Sequence, residues 1–306
     1  MSTFTYFALG TLMLLTPGAP APAGPAGPTK PARPAAVNEQ LLATQVMLDR
    51  AGYSPGEIDA LRGTNTDRAL AAYAKNGGKT DELPADAVTT YAITDQDAAG
   101  PFTPSIPADM MEKASLPSLG YAGMLEMLGE RFHASPALLK RMNPAAQFAA
   151  GEAVRVPNVS TASATPANAG VATVTVRKST SDLVVTGETG EVLMYAPVTT
   201  GSEHDPLPIG EWKVTGVQRD PAFHYNPALF WDAAAAHGKA TIPPGPNNPV
   251  GVVWIDITRP HYGLHGTPEP SKIGKTDSHG CVRLTNWDAL KLASLVRPGT
   301  RVIFAE

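Results

Sequence analysis

Tyr262-Gly-Leu-His-Gly-Thr-Pro-Glu-Pro-Ser-Lys-Ile-Gly-Lys-Thr-Asp-Ser-His-Gly-Cys-Val-Arg-Leu-Thr-Asn286 concentrates the chemistry of this 306-residue chain. Between His261 and Cys281 lie the only cysteine and three of the seven histidines. A solitary thiol makes neither an intramolecular disulfide nor a multi-thiolate zinc site, so Cys281 is either an inert core residue or a reagent. A thiol that attacks an acyl group needs a base or cation within hydrogen-bond reach, so that thiolate forms, and donors for the oxyanion it creates. His261, Tyr262, His265, Ser278 and His279 cluster with Cys281 within 21 residues, and Gly280 removes side-chain bulk beside the thiol. Zinc held by His265, His279 and Cys281 is the competing chemistry, but one-residue spacing between two ligands is strained and only Asp277 offers a nearby acid.

Working outward, the C-terminal segment has short apolar runs of strand type at Val171–Arg177, Asp182–Thr186, Glu191–Val198, Glu211–Val217, Val252–Ile257 and Arg301–Ala305, with Gly- and Pro-rich turns such as Gly187-Glu-Thr-Gly190 between them. One helix, Asn286–Val296, carries Leu290, Leu292, Leu295 and Val296 and stops at Pro298-Gly299. The expected architecture is a mainly β sandwich or barrel with one main helix, preceded by small α and α+β modules.

The strings Tyr-Gly-Leu-His-Gly-Thr (262–267) and Ser-His-Gly-Cys-Val-Arg-Leu-Thr-Asn (278–286) resemble the YkuD-type L,D-transpeptidase family, whose motif is a His, a spacer, then Ser/Thr-His-Gly-Cys. Leu-Pro-Ile-Gly-Glu-Trp-Lys-Val (207–214), Pro-Pro-Gly-Pro-Asn-Asn-Pro-Val-Gly-Val-Val-Trp-Ile-Asp-Ile (243–257) and Pro-Gly-Thr-Arg-Val-Ile (298–303) are similar to three further family segments, in the right order. The resemblance implies a cysteine enzyme acting on peptidoglycan stem peptides, with Cys281 as nucleophile and His265 as proton acceptor and donor. It implies that the Gly266 carbonyl orients the imidazole, that N–H groups around Gly280 and Cys281 hold the oxyanion, and that Ser278 and His279 shape the nucleophile loop. Arg283 stands where many relatives have Asn; a guanidinium there suits a substrate carboxylate. Tyr262 is either a strand-end residue or a substrate contact. The resemblance implies no cofactor and no metal. It also implies covalent inhibition by carbapenem-type β-lactams. The motif is shared among 3-3 cross-linking transpeptidases, L,D-carboxypeptidases and enzymes that attach a lipoprotein to the wall; a wall-binding protein with a decayed site is the non-enzymatic alternative.

Toward the N-terminus, Phe7–Leu15 and Ala21-Pro-Ala23 resemble a secretory signal over 1–23, although no Lys or Arg precedes the apolar run. A Pro/Ala-rich linker follows at 24–36. Residues 37–95 have short amphipathic helical patterns and resemble a three-helix peptidoglycan-binding-like module, departing from it at Asp59-Ala60. Residues 115–159 read helix, helix, Asn143-Pro144 turn, Gly151–Pro157 strand, similar to a LysM-like glycan-binding unit. Interruptions at 95–107 and 160–170 separate these from a catalytic domain at 171–306. Net charge is −4, and from Val171 onward 12 basic residues face 13 acidic ones, so no basic field draws nucleic acid. The expected setting is the periplasm or cell envelope of a Gram-negative bacterium, with stem peptides, glycan and a lipoprotein acceptor as partners.

Overall fold

Alternation of apolar and polar residues builds the main sheet. In β3 (Val171–Arg177), Val174 and Val176 point into the core. Leu183 and Val185 of β4 (Asp182–Gly187), Met194 and Ala196 of β5 (Val192–Pro197), and Val302 and Phe304 of β12 (Arg301–Ala305) do the same. With β6 (Gly210–Arg219), β9 (Val253–Ile257), β10 (Gly263–His265) and β11 (Val282–Arg283), they form one eight-stranded sheet in the order β11-β10-β9-β6-β12-β3-β4-β5. It curls into a half-barrel rather than splitting into two stacked sheets. Helix α7 (Asn286–Leu295) contributes Ala289, Leu292 and Ala293 to the same core. Thr285 caps its N-terminus, accepting the Asp288 N–H. A separate hairpin, β7 (Phe223–Tyr225) with β8 (Ala240–Ile242), lies outside the sheet; these strands were not anticipated from the sequence.

The computed structural model describes residues 1–3, 36–159 and 170–306. The export signal expected at 1–23, the linker at 24–36 and the joint at 160–170 therefore lie almost wholly outside the described residues. Among the described residues no helix is long and apolar enough to cross a membrane.

Residues Ala36–Glu306 form one compact unit. Helices α1 (Glu39–Arg50) and α2 (Thr64–Lys75) flank an irregular loop where a third short helix was expected around Ile58 and Leu61. Helical backbone fails there because Gly56 and Ala60 adopt positive φ (78° and 54°). The buried Gln45 side chain instead ties the loop down, accepting the Ala60 N–H at 2.8 Å and donating to Asp59 Oδ1 at 2.9 Å. Strand β1 (Val88–Ala92) falls within the first small segment, yet it pairs antiparallel with β2 (Ala153–Pro157) of the second. Between them run α3 (Asp95–Ala99), α4 (Met110–Ala114), α5 (Met124–Arg131) and α6 (Pro136–Met142). Leu42, Val46 and Ile58 share one core with Leu128, Leu138, Val154 and Val156. The segments 37–95 and 115–159 thus fold around a common core and not as two independent modules.

Candidate active site

His265 ends β10, and its neighbour in the sheet is β11, parallel, with Leu264 opposite Val282 and His265 opposite Arg283. Cys281 immediately precedes β11 and so falls opposite Gly263, two positions along the register from His265, which puts the thiol and the imidazole on adjacent strands and on one face. Both line a cleft of about 1180 Å³, together with Arg283, His279, Tyr262 and Trp254. The loop that carries Cys281 is tied along a second chain segment. Thr199 and Arg283 exchange two backbone hydrogen bonds at 2.9 and 3.0 Å, the Ser278 N–H donates to Thr200 O at 2.9 Å, and the Ser202 N–H donates to Ser278 O at 3.1 Å. Residues 199–202 therefore hold the loop in place, a role no motif in the sequence signalled.

Inside the loop, Ser278 Oγ donates to Cys281 O at 2.6 Å and accepts the Gly280 N–H at 3.2 Å. Gly280 has φ +99°, and a β-carbon there would lie 2.6 Å from the Tyr262 ring, so only glycine fits the bend. Tyr262 thus packs beneath the loop as well as facing the cleft. The Gly280 N–H, expected to face an oxyanion, is engaged by Ser278. His279 does not support the loop from within; its Nε2 lies 2.9 Å from Asp232 Oδ1 and its ring meets Phe230 edge-on.

His265 is 4% exposed. Its Nδ1 lies 2.6 Å from the Gly266 carbonyl, which must be a donor–acceptor pair with Nδ1–H donating. That leaves Nε2 as the unprotonated acceptor. The Trp254 ring stacks on it at 5.4 Å. Burial, with the Arg283 charge adding to it, pulls the His265 pKa down to about 3, against the opposing bond to Gly266. Burial pushes the Cys281 thiol up to about 11, against backbone donation from Gly263 and the Arg283 charge. At neutral pH Cys281 therefore rests as a thiol, 3.8 Å from the His261 carbonyl, and His265 as a neutral imidazole lining the same cleft. Burial also lowers the Arg283 pKa, and its guanidinium makes no side-chain hydrogen bond or ion pair among the described residues. No group of three or more metal-ligating side chains occurs among them either.

The β7–β8 hairpin and the turn between its strands form a cap on the cleft. Tyr225 and Ile242 bury against Leu119, with Met110 and Phe230 packed around them. His237, which no sequence motif singles out, links the cap to the segment before α4: its Nε2 is 2.7 Å from Asp109 Oδ2 and its Nδ1 is 2.9 Å from Tyr225 Oη. Asp232 and Asp109 are site-bordering residues that sequence reasoning missed, and Trp254, legible only as a core or platform aromatic, stacks on His265. Their partners are 47, 128 and 11 positions away, and no local pattern encodes such pairings.

The YkuD family model, described as an L,D-transpeptidase catalytic domain, matches residues 172–304. The putative L,D-transpeptidase YqjB of Bacillus subtilis is 31% identical over 139 residues, 44% of this chain and 70% of that protein. The putative L,D-transpeptidase YkuD of Bacillus licheniformis is 52% identical over 59 residues, 19% of this chain and 36% of that protein. Among solved structures, L,D-transpeptidase 3 of Mycobacterium tuberculosis with a faropenem-derived adduct aligns at 19% identity and a TM-score of 0.37, over 45% of this chain and 60% of that one.

Proposed function

Because the chain belongs to the YkuD family of L,D-transpeptidases, we propose that it is an exported envelope enzyme that joins peptidoglycan stem peptides through a Cys281 thioester. The observation that carries this reading is the oriented His265: with Nδ1–H bound to Gly266, Nε2 is left to take the thiol proton.

In the proposed reaction the Cys281 proton passes to His265 Nε2 as sulfur bonds to the carbonyl carbon of the third residue, a diamino acid, of a donor tetrapeptide. The carbonyl π pair moves to oxygen. With the Gly280 N–H engaged by Ser278, the oxyanion draws first on the Cys281 N–H. Collapse breaks the C–N bond to the terminal D-alanine, whose nitrogen receives the proton from His265. An acceptor amine then adds to the thioester and gives its proton to Nε2. Loss of the Cys281 thiolate completes the new amide, and His265 returns the proton to sulfur. Each step uses one proton and one base. The half-buried thiol and buried imidazole start neutral, so no isolated charge is held in the cleft before substrate arrives.

The free Arg283 cation suits a carboxylate on the donor stem. The 37–159 unit supplies wall attachment, raising the local substrate concentration. Incubation with disaccharide tetrapeptide and mass spectrometry of the products is the test. Dimers joined through two diamino-acid residues support transpeptidation. Tripeptide alone makes water the acceptor. No turnover, or turnover that persists in Cys281→Ala, overturns the reading. A carbapenem adduct on wild-type protein that is absent from Cys281→Ala is expected alongside.

A further inference from the structure

Helix α5 belongs to the N-terminal part of the fold, yet two of its acidic side chains, four residues apart and so on one face, reach the Asn247 loop and the first residue of α7, Asn286. Glu126 Oε1 accepts from Asn247 Nδ2 at 2.7 Å, and Glu130 Oε1 accepts from Asn286 Nδ2 at 3.1 Å. The second contact leads to the imidazole. Asn286 is 1% exposed, and its Nδ2 also donates to Pro246 O at 3.2 Å while its Oδ1 accepts the Val252 N–H at 3.2 Å. That same Oδ1 lies so close under two glycines that a β-carbon on Gly266 would be 2.2 Å from it, and one on Gly251 2.0 Å. The Gly266 carbonyl, in turn, takes the His265 Nδ1–H at 2.6 Å.

An asparagine amide has an accepting end and a donating end of nearly equal shape. Reversed, Asn286 would set an NH2 against the Val252 N–H and turn its oxygen toward two other acceptors. We propose that Glu130 is a positioning residue for His265: by accepting from Nδ2 it fixes which end of the Asn286 amide faces Gly266, and so holds the Gly266 peptide where its carbonyl selects the Nδ1–H tautomer. The inference rests on the reading of His265 as the base. It makes the N-terminal unit part of the catalytic architecture in addition to any wall attachment. Misplacement of a catalytic group by a fraction of an ångström to an ångström costs about 10- to 100-fold in rate.

The experiment uses the full chain with Glu130→Gln, which keeps an oxygen acceptor, and Glu130→Met, which removes it at similar volume. Glu126→Met, which breaks the neighbouring contact to Asn247, is the control for docking in general. Two quantities are read: kcat and KM on disaccharide tetrapeptide, and the His265 tautomer from 15N spectra of histidine-labelled protein without substrate. Glu130→Gln is expected within about threefold of wild type in kcat and Glu130→Met about 10-fold or more below it, with KM little changed. His265 should be Nδ1-protonated in wild type, Glu130→Gln and Glu126→Met, and a tautomer mixture in Glu130→Met. A wild-type tautomer in Glu130→Met, or equal disturbance by Glu126→Met, overturns the inference. Absence of turnover in wild type overturns the proposed function instead, and the spectra still decide the role of Glu130. If Glu130→Met does not fold, Glu130→Leu is the second apolar variant.

Discussion

At the residue scale the site is a neutral pair held ready by burial. The Cys281 thiol, pushed up to about 11, and the His265 imidazole, pulled down to about 3, move in opposite directions chiefly for one reason: burial disfavours the charged form of each. Alkylation of the substrate-free enzyme by iodoacetamide should therefore keep accelerating from pH 8 to beyond pH 10 without a plateau near the ordinary thiol value of 9.0, because thiolate accumulates only as pH nears the raised pKa. A plateau by pH 9 would show that the pair is already ionised. Arg283 offers a second check. Its guanidinium borders the cleft near Cys281 and has no ion-pair partner among the described residues. Replacing it with Ala should raise KM by about 10-fold, equivalent to about 1.4 kcal/mol, and lower kcat less, for a donor bearing a carboxylate. Lys should restore only part, since a point charge cannot reproduce the planar fork. Both residues were legible in the sequence from their spacing around Ser278-His-Gly-Cys281, as was Gly266. That Gly280 is committed to Ser278 was not, because the Ser278 rotamer is set by the folded loop.

At the element scale the cap is the part that sequence periodicity does not reveal. Strands β7 and β8 have three residues each, too short for alternation to stand out, and their partners lie in the 106–119 segment. Asp109 does two things there: it caps α4 by accepting the Met111 and Glu112 N–H groups and it holds His237. Asp109→Ala should cost about 1 kcal/mol through the lost cap and, more diagnostically, speed amide hydrogen exchange across 223–242 while leaving β3 and β4 protected. Unchanged exchange in the cap would mean that the apolar contacts of Tyr225 and Ile242 alone hold it closed. The longer elements behaved otherwise. Strands β3, β4, β5, β6, β9 and β12 and helix α7 formed close to where alternation, helical apolar spacing and Gly/Pro punctuation placed them, because each of those signals is local.

At the scale of the whole molecule, the N-terminal unit and the catalytic sheet meet across a seam of titratable groups. Burial raises Glu130 to about 8, Glu57 to about 7 and Asp288 to about 6, the last accepting hydrogen bonds from Ser54 Oγ and Thr285 Oγ1, both at 2.8 Å. Burial works against the His133 cation, but Asp49 at 2.8 Å outweighs it and its pKa is raised as well; the ring stacks on Trp287 at 5.0 Å. Every one of these folded-state values lies above the unfolded one. Each group therefore contributes stability that is present below its unfolded pKa and is lost as pH rises through the folded value. For Glu130 that window runs from 4.5 to about 8. His265 has the opposite sign: its contribution is lost as pH falls from 6.5 toward about 3. The melting temperature should consequently fall between pH 6 and 8.5, and fall less steeply in Glu130→Gln; equal slopes would place the pH dependence elsewhere. The sequence by itself determined the mainly β C-terminal segment and its one main helix, because alternation and Gly/Pro punctuation are properties of neighbouring residues. Only the tertiary structure decided that 37–95 and 115–159 share a core and the β1–β2 pair, that a cap is latched through Asp109 and Asp232, and that Glu130 stands behind Asn286. Those contacts join residues up to 156 positions apart, and they exist only where burial and backbone geometry bring distant groups within hydrogen-bond reach.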